Sequence, residues 1–230
     1  MNQQIVILAA GMGTRLGRPY PKTLTELNDG RSILRQQIEN VRSVFGDEAR
    51  IMAVVGFKMD LLLEAAPDVL FAYNQHYDQT NTSKSLLKAL RLSHEGGVVW
   101  MNGDVVFEPH ILEKVRPVID SGQSCVCVNK AAVADEEVKY NVDDDGYVRE
   151  LSKTINDGLG ESIGINFISG ADKDTLIEQL DACHEQDYFE RGLELAIAEH
   201  GTRVQPVDIS EFRAVEVDFE EDLQRANETG

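Results

Sequence analysis

The sequence has few cysteines, few basic residues and no long apolar run. Three cysteines in 230 residues are too few for a disulfide framework, which favours a reducing compartment such as the cytoplasm. Cys125 and Cys127 share one strand face and are expected to be core thiols rather than metal ligands. No apolar stretch reaches the roughly 18 residues of a membrane span. With 22 basic against 40 acidic residues, the net charge of −18 argues against nucleic acid and acidic membranes as partners.

Apolar runs of strand length alternate with segments of helical spacing in the first part of the chain. This alternation predicts the α/β class, with a doubly wound, mostly parallel, Rossmann-like mixed sheet. The predicted strands are Gln4–Leu8, Ile51–Val55, Val69–Tyr73, Val98–Met101 and Ser124–Val128, and the predicted helices are Ile33–Val44, Met59–Ala65 and Ser83–Leu92.

The later part of the chain predicts a small β-hairpin and a mixed set of elements. Val138–Val142 and Tyr147–Leu151 flank the run Asp143-Asp144-Asp145-Gly146, which is a turn signal. Further strands are predicted at Ser162–Ile168, Thr202–Val207 and Arg213–Val217, and helices at Lys173–Ala182, Tyr188–His200 and Phe219–Ala226. No linker, repeat or low-complexity segment divides the sequence, so residues 1–230 are interpreted as a single domain.

A glycine-rich and exclusively basic loop follows the first predicted strand. Its three glycines let the backbone turn tightly and expose N–H groups, while Arg15, Arg18 and Lys22 add three cations. Such a loop suits a nucleoside triphosphate. The spacing does not match a P-loop, and two prolines interrupt the helix that a dinucleotide-binding turn requires.

Two acidic residues follow predicted strands, where an open α/β sheet places its chemistry. Asp104 follows the fourth strand, but an Asn-Gly turn of a hairpin explains it equally well, because residues 105–107 are also apolar. Asp218 lies near the end of the chain, and strand alternation puts Glu216 on the same face. Asp218 and Glu221 also form a capping-box pattern for the last helix. For both carboxylates, a structural and a metal-binding interpretation stay open.

The run Leu8-Ala9-Ala10-Gly11-Met12-Gly13-Thr14-Arg15-Leu16-Gly17-Arg18-Pro19-Tyr20-Pro21-Lys22 resembles the signature of nucleotidyltransferases that join a nucleoside triphosphate to a small phosphate. Four features follow one another along the chain: this loop, an Asn-rich loop before a Ser-Leu helix, Asn-Gly-Asp, and Glu-Val-Asp. Their order is similar to that in phosphocholine and phosphonate cytidylyltransferases. The resemblance spans nearly the whole chain. It implies Mg²⁺ as cofactor, CTP and a small phosphonate or phosphate as partners, and a homodimer as a possible assembly. The alternatives are a sugar-1-phosphate nucleotidyltransferase and a non-catalytic nucleotide sensor.

The resemblance also implies a role for each matching residue. Lys22 and Arg15 would be catalytic, and Asp104 and Asp218 would hold Mg²⁺. The implied nucleotide-binding residues are Leu8, Ala9, Ala10, Gly11, Gly13, Thr14, Asn81, Ser85 and Asp104. Residues 1–130 would form mainly the nucleotide-binding half and residues 131–230 mainly the acceptor-binding half.

The acceptor would meet Lys139, Lys153, Glu161 and Glu216. Its chemistry stays open between two classes. A choline-like ammonium needs aromatic rings and a carboxylate, for which the candidates are Tyr140, Phe167, Tyr188, Phe189, Glu161, Glu190 and Glu216, although such aromatics are more often core. A carboxylate-bearing phosphonate needs additional cations, for which the candidates are Lys84, Lys139 and Lys153. The unusual position of Lys84 beside the nucleotide-side loop favours the phosphonate.

Overall fold

A computed structural model of the protein describes residues 2–131 and 137–228. In these ranges the strands are β1 Gln4–Ala9, β2 Arg50–Val55, β3 Leu70–Tyr73, β4 Val98–Asn102, β5 Val105–Phe107, β6 Cys125–Asn129, β7 Lys139–Val142, β8 Val148–Ser152, β9 Gly160–Ile168, β10 Gln205–Asp208 and β11 Ala214–Glu216. The helices are α1 Ile33–Phe45, α2 Met59–Ala65, α3 Thr82–Leu92, α4 His110–Asp120, α5 Lys173–Ala182, α6 Phe189–His200 and α7 Glu220–Asn227, with a 3-10 turn at Lys22–Leu24. The predicted α/β class is confirmed.

The order in which the chain adds strands to the main sheet reverses at the centre of the sheet. Strands β3, β2, β1 and β4 are adjacent and parallel in that order, so the chain moves outward from β1 to β3 and then crosses back to β4. The carboxyl ends of β1 and β4 therefore open at a topological switch point, which is where open α/β sheets bind their ligands. Strand β9 then pairs antiparallel with β4 and β6, and β10 pairs parallel with β6 at the edge.

Helices cover both faces of this sheet, and strand β1 supplies side chains to both cores. Ile5 and Ile7 belong to the core that includes Ile38 of α1, whereas Val6 belongs to the core that includes Leu86 of α3. Near-continuous apolar strands of this kind are typical of parallel sheets buried on both sides. The first strand and the loop after it are thus held on a rigid base. Cys125 and Cys127 lie together in the first core, as expected.

Strand β5 does not form a hairpin with β4. It pairs antiparallel with β11 in a separate two-stranded sheet, with Val105 opposite Glu216. The hairpin interpretation of the Asn-Gly-Asp segment is therefore wrong. Gly103 instead packs under β1: its N–H donates to the Leu8 carbonyl oxygen at 3.0 Å, and a Cβ there would lie 2.6 Å from that oxygen. This close approach sets Asp104 at the switch point.

Two other segments test the predicted elements. The predicted hairpin is confirmed as β7 and β8, with Gly146 at φ 83° in the turn. Helix α4 was not predicted, although its buried residues Ile111, Leu112, Val115 and Ile119 have helical spacing; Pro117 lies inside this helix. Among the described residues, no helix is long and apolar enough to span a membrane.

Candidate active site

A cavity of about 240 Å³ opens at the carboxyl ends of β1 and β4. The predicted site residues that line it are Leu8, Ala9, Gly11, Gly13, Arg15, Lys22, Asn81, Asp104, Lys153, Glu216 and Asp218. The predicted residues that do not line it are Ala10, Thr14, Ser85, Lys139 and Glu161. The structure thus brings together residues from both ends of the chain around one crevice.

Lys22 lies at the centre of this arrangement. Its Nζ is 2.6 Å from Asp104 Oδ2 and 2.6 Å from Asp218 Oδ1, and its side chain is 13% exposed. Arg15 binds the other oxygen of Asp218, with Nη1 2.5 Å from Oδ2. One lysine therefore bridges two carboxylates that come from loops far apart in the sequence.

The glycine-rich loop folds closely over Lys22. Gly13 has φ +59°, and a Cβ at this position would lie 2.7 Å from the Cβ of Lys22. Only glycine satisfies both the left-handed backbone and the missing space. The loop therefore lies directly against Lys22, and a glycine-rich loop beside a lysine is a suitable arrangement for phosphate oxygens.

The ion pairs favour the charged forms of Lys22 and Asp218. Burial alone would lower the pKa of Lys22, but the charges and hydrogen bonds of Asp104 and Asp218 outweigh it and raise that pKa above its ordinary value. Burial would likewise raise the pKa of Asp218, but Lys22 and Arg15 outweigh it and lower that pKa. The site is a preorganised set of opposite charges.

Asp104, Glu216 and Asp218 form a carboxylate triad. Each offers an oxygen atom, and these oxygens lie within 4.8 Å of one another. Burial, followed by the nearby carboxylates Asp104 and Glu137, raises the pKa of Glu216 well above its ordinary value. Asp104 Oδ1 is buried without a hydrogen-bond partner among the described residues. An all-oxygen donor set with an unpartnered oxygen fits a hard divalent cation such as Mg²⁺.

Asp218 does not cap the last helix, so the capping box with Glu221 is wrong. The carboxylate of Asp222 accepts the backbone N–H groups of Asp218 and Phe219 at 3.0 and 2.8 Å. Helix α7 accordingly begins one residue later than predicted. Because Asp222 satisfies these donors, both oxygens of Asp218 face Lys22 and Arg15.

The Asn-rich loop reaches the cavity through Asn81 and Thr82. Asn81 caps helix α3 by accepting the Thr82 N–H at 2.8 Å. Thr82 Oγ1 in turn accepts the N–H of Phe189 at 3.0 Å, which ties this loop to the start of α6. Ser85 lies deeper on α3, where its buried hydroxyl accepts a hydrogen bond from Asn74 at 3.1 Å. It supports the loop rather than the cavity wall.

Strand alternation places two predicted acceptor residues away from the cavity. Lys139 and Glu161 are direct partners across β7 and β9. Their sequence neighbours Val138 and Ser162 line the cavity instead. Because successive side chains point to opposite faces of a strand, these two segments reach the cavity through Val138 and Ser162 and not through the predicted residues.

Lys84 also lies outside the cavity. Its Nζ donates to the carbonyl oxygens of Leu180, Asp181 and Cys183 at 3.1, 3.0 and 2.6 Å. A lysine at this position satisfies the free carbonyl groups at the carboxyl end of helix α5. The sequence argument that used Lys84 to favour a carboxylate-bearing acceptor therefore has no structural support.

Of the four aromatic residues considered for the acceptor site, two line the cavity and two do not. Tyr140 and Phe167 are core residues, 1% and 4% exposed, whereas Tyr188 and Phe189 line the cavity. The Lys153 ammonium lies 5.1 Å from the centre of the Tyr188 ring. One wall of the cavity therefore already holds a cation on an aromatic face.

Several lining residues were not among the predicted site residues. They are Thr23, Thr82, Asn102, Glu137, Val138, Ser162, Gly164, Tyr188, Phe189 and Glu190, of which the last three had been considered only as an enclosure for an ammonium. Val138 and Ser162 lie one residue from predicted positions, so the correct strand register would have found them. Glu137 carried no signal in the sequence. It lines the same cavity as Lys153 and the triad only in the folded chain, where burial and the nearby carboxylates raise its pKa although Lys153 lowers it.

The glycine-rich loop and the lysine bound by carboxylates lie at the switch point, where open α/β sheets bind their ligands. The chain matches the model of the MobA-like NTP transferase domain over residues 5–203, and it belongs to that family. It is 25% identical over 218 residues to a 2-aminoethylphosphonate cytidylyltransferase of Lancefieldella rimae, covering 90% of this chain and 85% of the relative.

Two further comparisons extend this result. The chain is 36% identical over 120 residues to a CMP-5'-(3-aminopropyl)phosphonate synthase of Streptomyces rubellomurinus, covering 48% of this chain but 18% of that protein. The fold matches the CTP:phosphocholine cytidylyltransferase of Streptococcus pneumoniae with a TM-score of 0.76 and 20% identity, over 99% of both chains. The protein is therefore an enzyme of the nucleotidyltransferase class.

Proposed function

We propose that this protein is an Mg²⁺-dependent cytidylyltransferase that transfers CMP from CTP to a small phosphonate or phosphate and releases pyrophosphate. The observation that carries the reaction type is the Lys22 ammonium 2.6 Å from both Asp104 and Asp218, under the glycine-rich loop. The choice of CTP and of a phosphonate is supported by the 2-aminoethylphosphonate cytidylyltransferase that matches 90% of the chain.

The triphosphate would bind the loop between β1 and the 3-10 turn. The chain has a net charge of −18, so long-range attraction cannot gather a polyanion. Local donors must hold it instead: the N–H groups around Gly11 and Gly13, the Arg15 guanidinium and the Lys22 ammonium. Leu8, Ala9 and Asn81 line the same cavity and would frame the base and ribose.

The chemical step needs no nucleophile from the protein. An oxygen of the acceptor attacks the α-phosphorus of CTP and forms a new P–O bond, while the bond to the bridging oxygen of the β-phosphate breaks. The electron pair leaves with pyrophosphate. Lys22 and Arg15 would hold the phosphates in line and neutralise the charge that develops on their oxygens.

Asp104, Glu216 and Asp218 would hold Mg²⁺, which when bound neutralises phosphate charge and orients the reacting groups. Glu216 was predicted to contact the acceptor, but its oxygen lies with those of the other two carboxylates. Lys22 contacts Asp104 and Asp218 as well, so the lysine is positioned beside the same phosphates. The three carboxylates and Lys22 would therefore act as one unit.

A pyrophosphate-release assay tests this function. CTP, UTP, dTTP and GTP are each combined with Mg²⁺ and with 2-aminoethylphosphonate, phosphocholine or glucose 1-phosphate. We expect release with CTP and the phosphonate, and little with the other nucleotides. Lys22→Ala serves as the inactive control. Robust turnover of glucose 1-phosphate with another nucleotide, and none with CTP, would identify a sugar-1-phosphate nucleotidyltransferase instead.

A further inference from the structure

The cavity has a second group of charges besides the triad, Lys22 and Arg15. Among the described lining residues, this group consists of Glu137, Lys153 and Glu190. The group holds two carboxyl groups and one ammonium, so it carries one net negative charge when both carboxyl groups are ionised. A ligand that brings one positive charge would complement it.

Glu190 is the residue of this group that is least accessible to water. It lies in the first turn of α6 and is only 7% exposed. Its Oε2 is buried and has no hydrogen-bond partner among the described residues. A buried carboxylate oxygen without a donor costs free energy, which a ligand donor at this position would recover.

Neighbouring contacts fix Glu190 in place. The preceding residue, Phe189, is 1% exposed and packs edge-on against Trp100, with ring centres 5.6 Å apart. The Phe189 N–H is held by Thr82. Glu190 therefore lines the cavity from a helix terminus that these contacts hold in place, as a specificity-determining group requires.

The missing donor restricts the chemistry of the ligand. A protonated primary amine supplies both a positive charge and N–H donors, whereas a trimethylammonium supplies only the charge. A cage for a quaternary ammonium would need several aromatic faces. Of the described lining residues, only Tyr188 and Phe189 are aromatic; Phe189 is buried against Trp100, and the Tyr188 ring is already faced by Lys153. A ligand carboxylate would be repelled by Glu190 and Glu137.

We propose that Glu190 is the residue that selects an acceptor with a protonated primary amine, by accepting an N–H hydrogen bond on Oε2. This inference rests on the proposed cytidylyl transfer to an acceptor such as 2-aminoethylphosphonate, and it adds the residue that recognises the acceptor's other end. The phosphonate or phosphate end meets Lys22, and the amine end meets Glu190.

Three acceptors of matched shape test the inference. They are 2-aminoethylphosphonate, its neutral isostere propylphosphonate, and the N,N,N-trimethyl derivative of 2-aminoethylphosphonate, each assayed with CTP for kcat and KM. A charge-assisted hydrogen bond to a buried carboxylate predicts that the wild-type protein prefers the primary amine about 10- to 100-fold in kcat/KM. Glu190→Gln should reduce this preference to a few-fold, chiefly through the KM of the amine.

Two further variants separate selection from folding. Glu190→Asp keeps the negative charge and should retain part of the preference. Glu199→Gln removes an exposed carboxylate from the same helix that does not line the cavity, and it should keep the wild-type preference. The wild-type comparison of the three acceptors stands even if a Glu190 variant does not fold.

Each other result has a distinct meaning. Equal use of the primary amine and propylphosphonate, or a preference for the trimethylated acceptor, would overturn the inference while leaving cytidylyl transfer intact. An undiminished preference in folded Glu190→Gln would remove Glu190 as the selecting residue. Absence of CTP-dependent pyrophosphate release with every acceptor would overturn the proposed function itself.

Discussion

The backbone N–H of Val217 donates to the backbone carbonyl oxygen of Asp104 at 2.9 Å. This hydrogen bond joins the segment after β4 to the segment after β11. Val217 is fully buried beneath α7, so its neighbours Glu216 and Asp218 are held towards Asp104. The geometry of the carboxylate triad is therefore set by the backbone before any ligand binds.

The carboxylates of the triad should be required for turnover but not for folding. Asp104→Asn and Asp218→Asn should each lower kcat by about two orders of magnitude or more, because each removes a charge that would hold Mg²⁺. Steady-state kinetics with circular dichroism checks this expectation. Asp120→Asn, at the exposed end of α4, is the control and should behave as wild type. Full activity in either variant, or in excess chelator, would contradict the metal assignment.

Lys22 and Arg15 should differ in the step that they support. Lys22 contacts both Asp104 and Asp218, so Lys22→Ala should lower kcat by about two orders of magnitude and weaken CTP binding less. Arg15 is half exposed and contacts only Asp218 among these carboxylates, so Arg15→Ala should mainly weaken CTP binding. Calorimetric titration with CTP beside kinetics separates the two effects. A loss of CTP binding with normal kcat in Lys22→Ala would exclude the role given to this lysine.

The small size of Gly13, and not only its backbone conformation, should be needed for turnover. Gly13→Ala places a Cβ 2.7 Å from the Lys22 Cβ at φ +59°, whereas Gly17→Ala has a similar φ of +67° and no atom within 4 Å. Both variants should lose about 1 kcal/mol from backbone strain, but only Gly13→Ala should also displace Lys22 and lower kcat. Equal kcat values for the two variants would show that the close approach of residue 13 to Lys22 is not needed for turnover.

Glu190 should make the stability of the free protein depend on pH. Burial raises the pKa of Glu190 from its ordinary value of 4.5 to about 7, with Lys153 and Glu194 as the charges that act on it. Because the folded-state pKa is the higher one, the stabilisation is present below pH 4.5 and is lost as the pH rises through about 7.

Glu190→Gln removes this titration. The free energy of unfolding of Glu190→Gln minus that of wild type should therefore increase by about 3 kcal/mol or less as the pH rises from about 4 to about 8. Urea unfolding across this range measures the difference, with Glu199→Gln, at an exposed position near the end of the same helix, as the control for an amide. A constant difference between wild type and Glu190→Gln would show that the side chain is solvated.

The sequence predicted the sheet and the residues that follow its central strands, because these features are local. Lys22, Asp104 and Asp218 each lie next to an apolar run or a turn that fixes their place at the switch point. Lys139 and Glu161 were predicted for the acceptor site but do not line the cavity, because a shift of one residue in a strand reverses the face of its side chains. The charged residues around Glu190 come from segments far apart in the sequence, so their common position in one cavity could not be predicted from the sequence.

The hydrogen bond from the Phe189 N–H to Thr82 Oγ1 joins residues 107 positions apart. The Asn81 N–H donates to the Glu185 carbonyl oxygen at 2.8 Å beside it. The segment before α3 and the segment before α6 are therefore not interchangeable modules. A chimera that takes its second half from a relative with another acceptor must also keep a hydroxyl at position 82, or the transplanted helix will lose its anchor. In this fold, a change of acceptor specificity therefore requires that segments in contact be exchanged together.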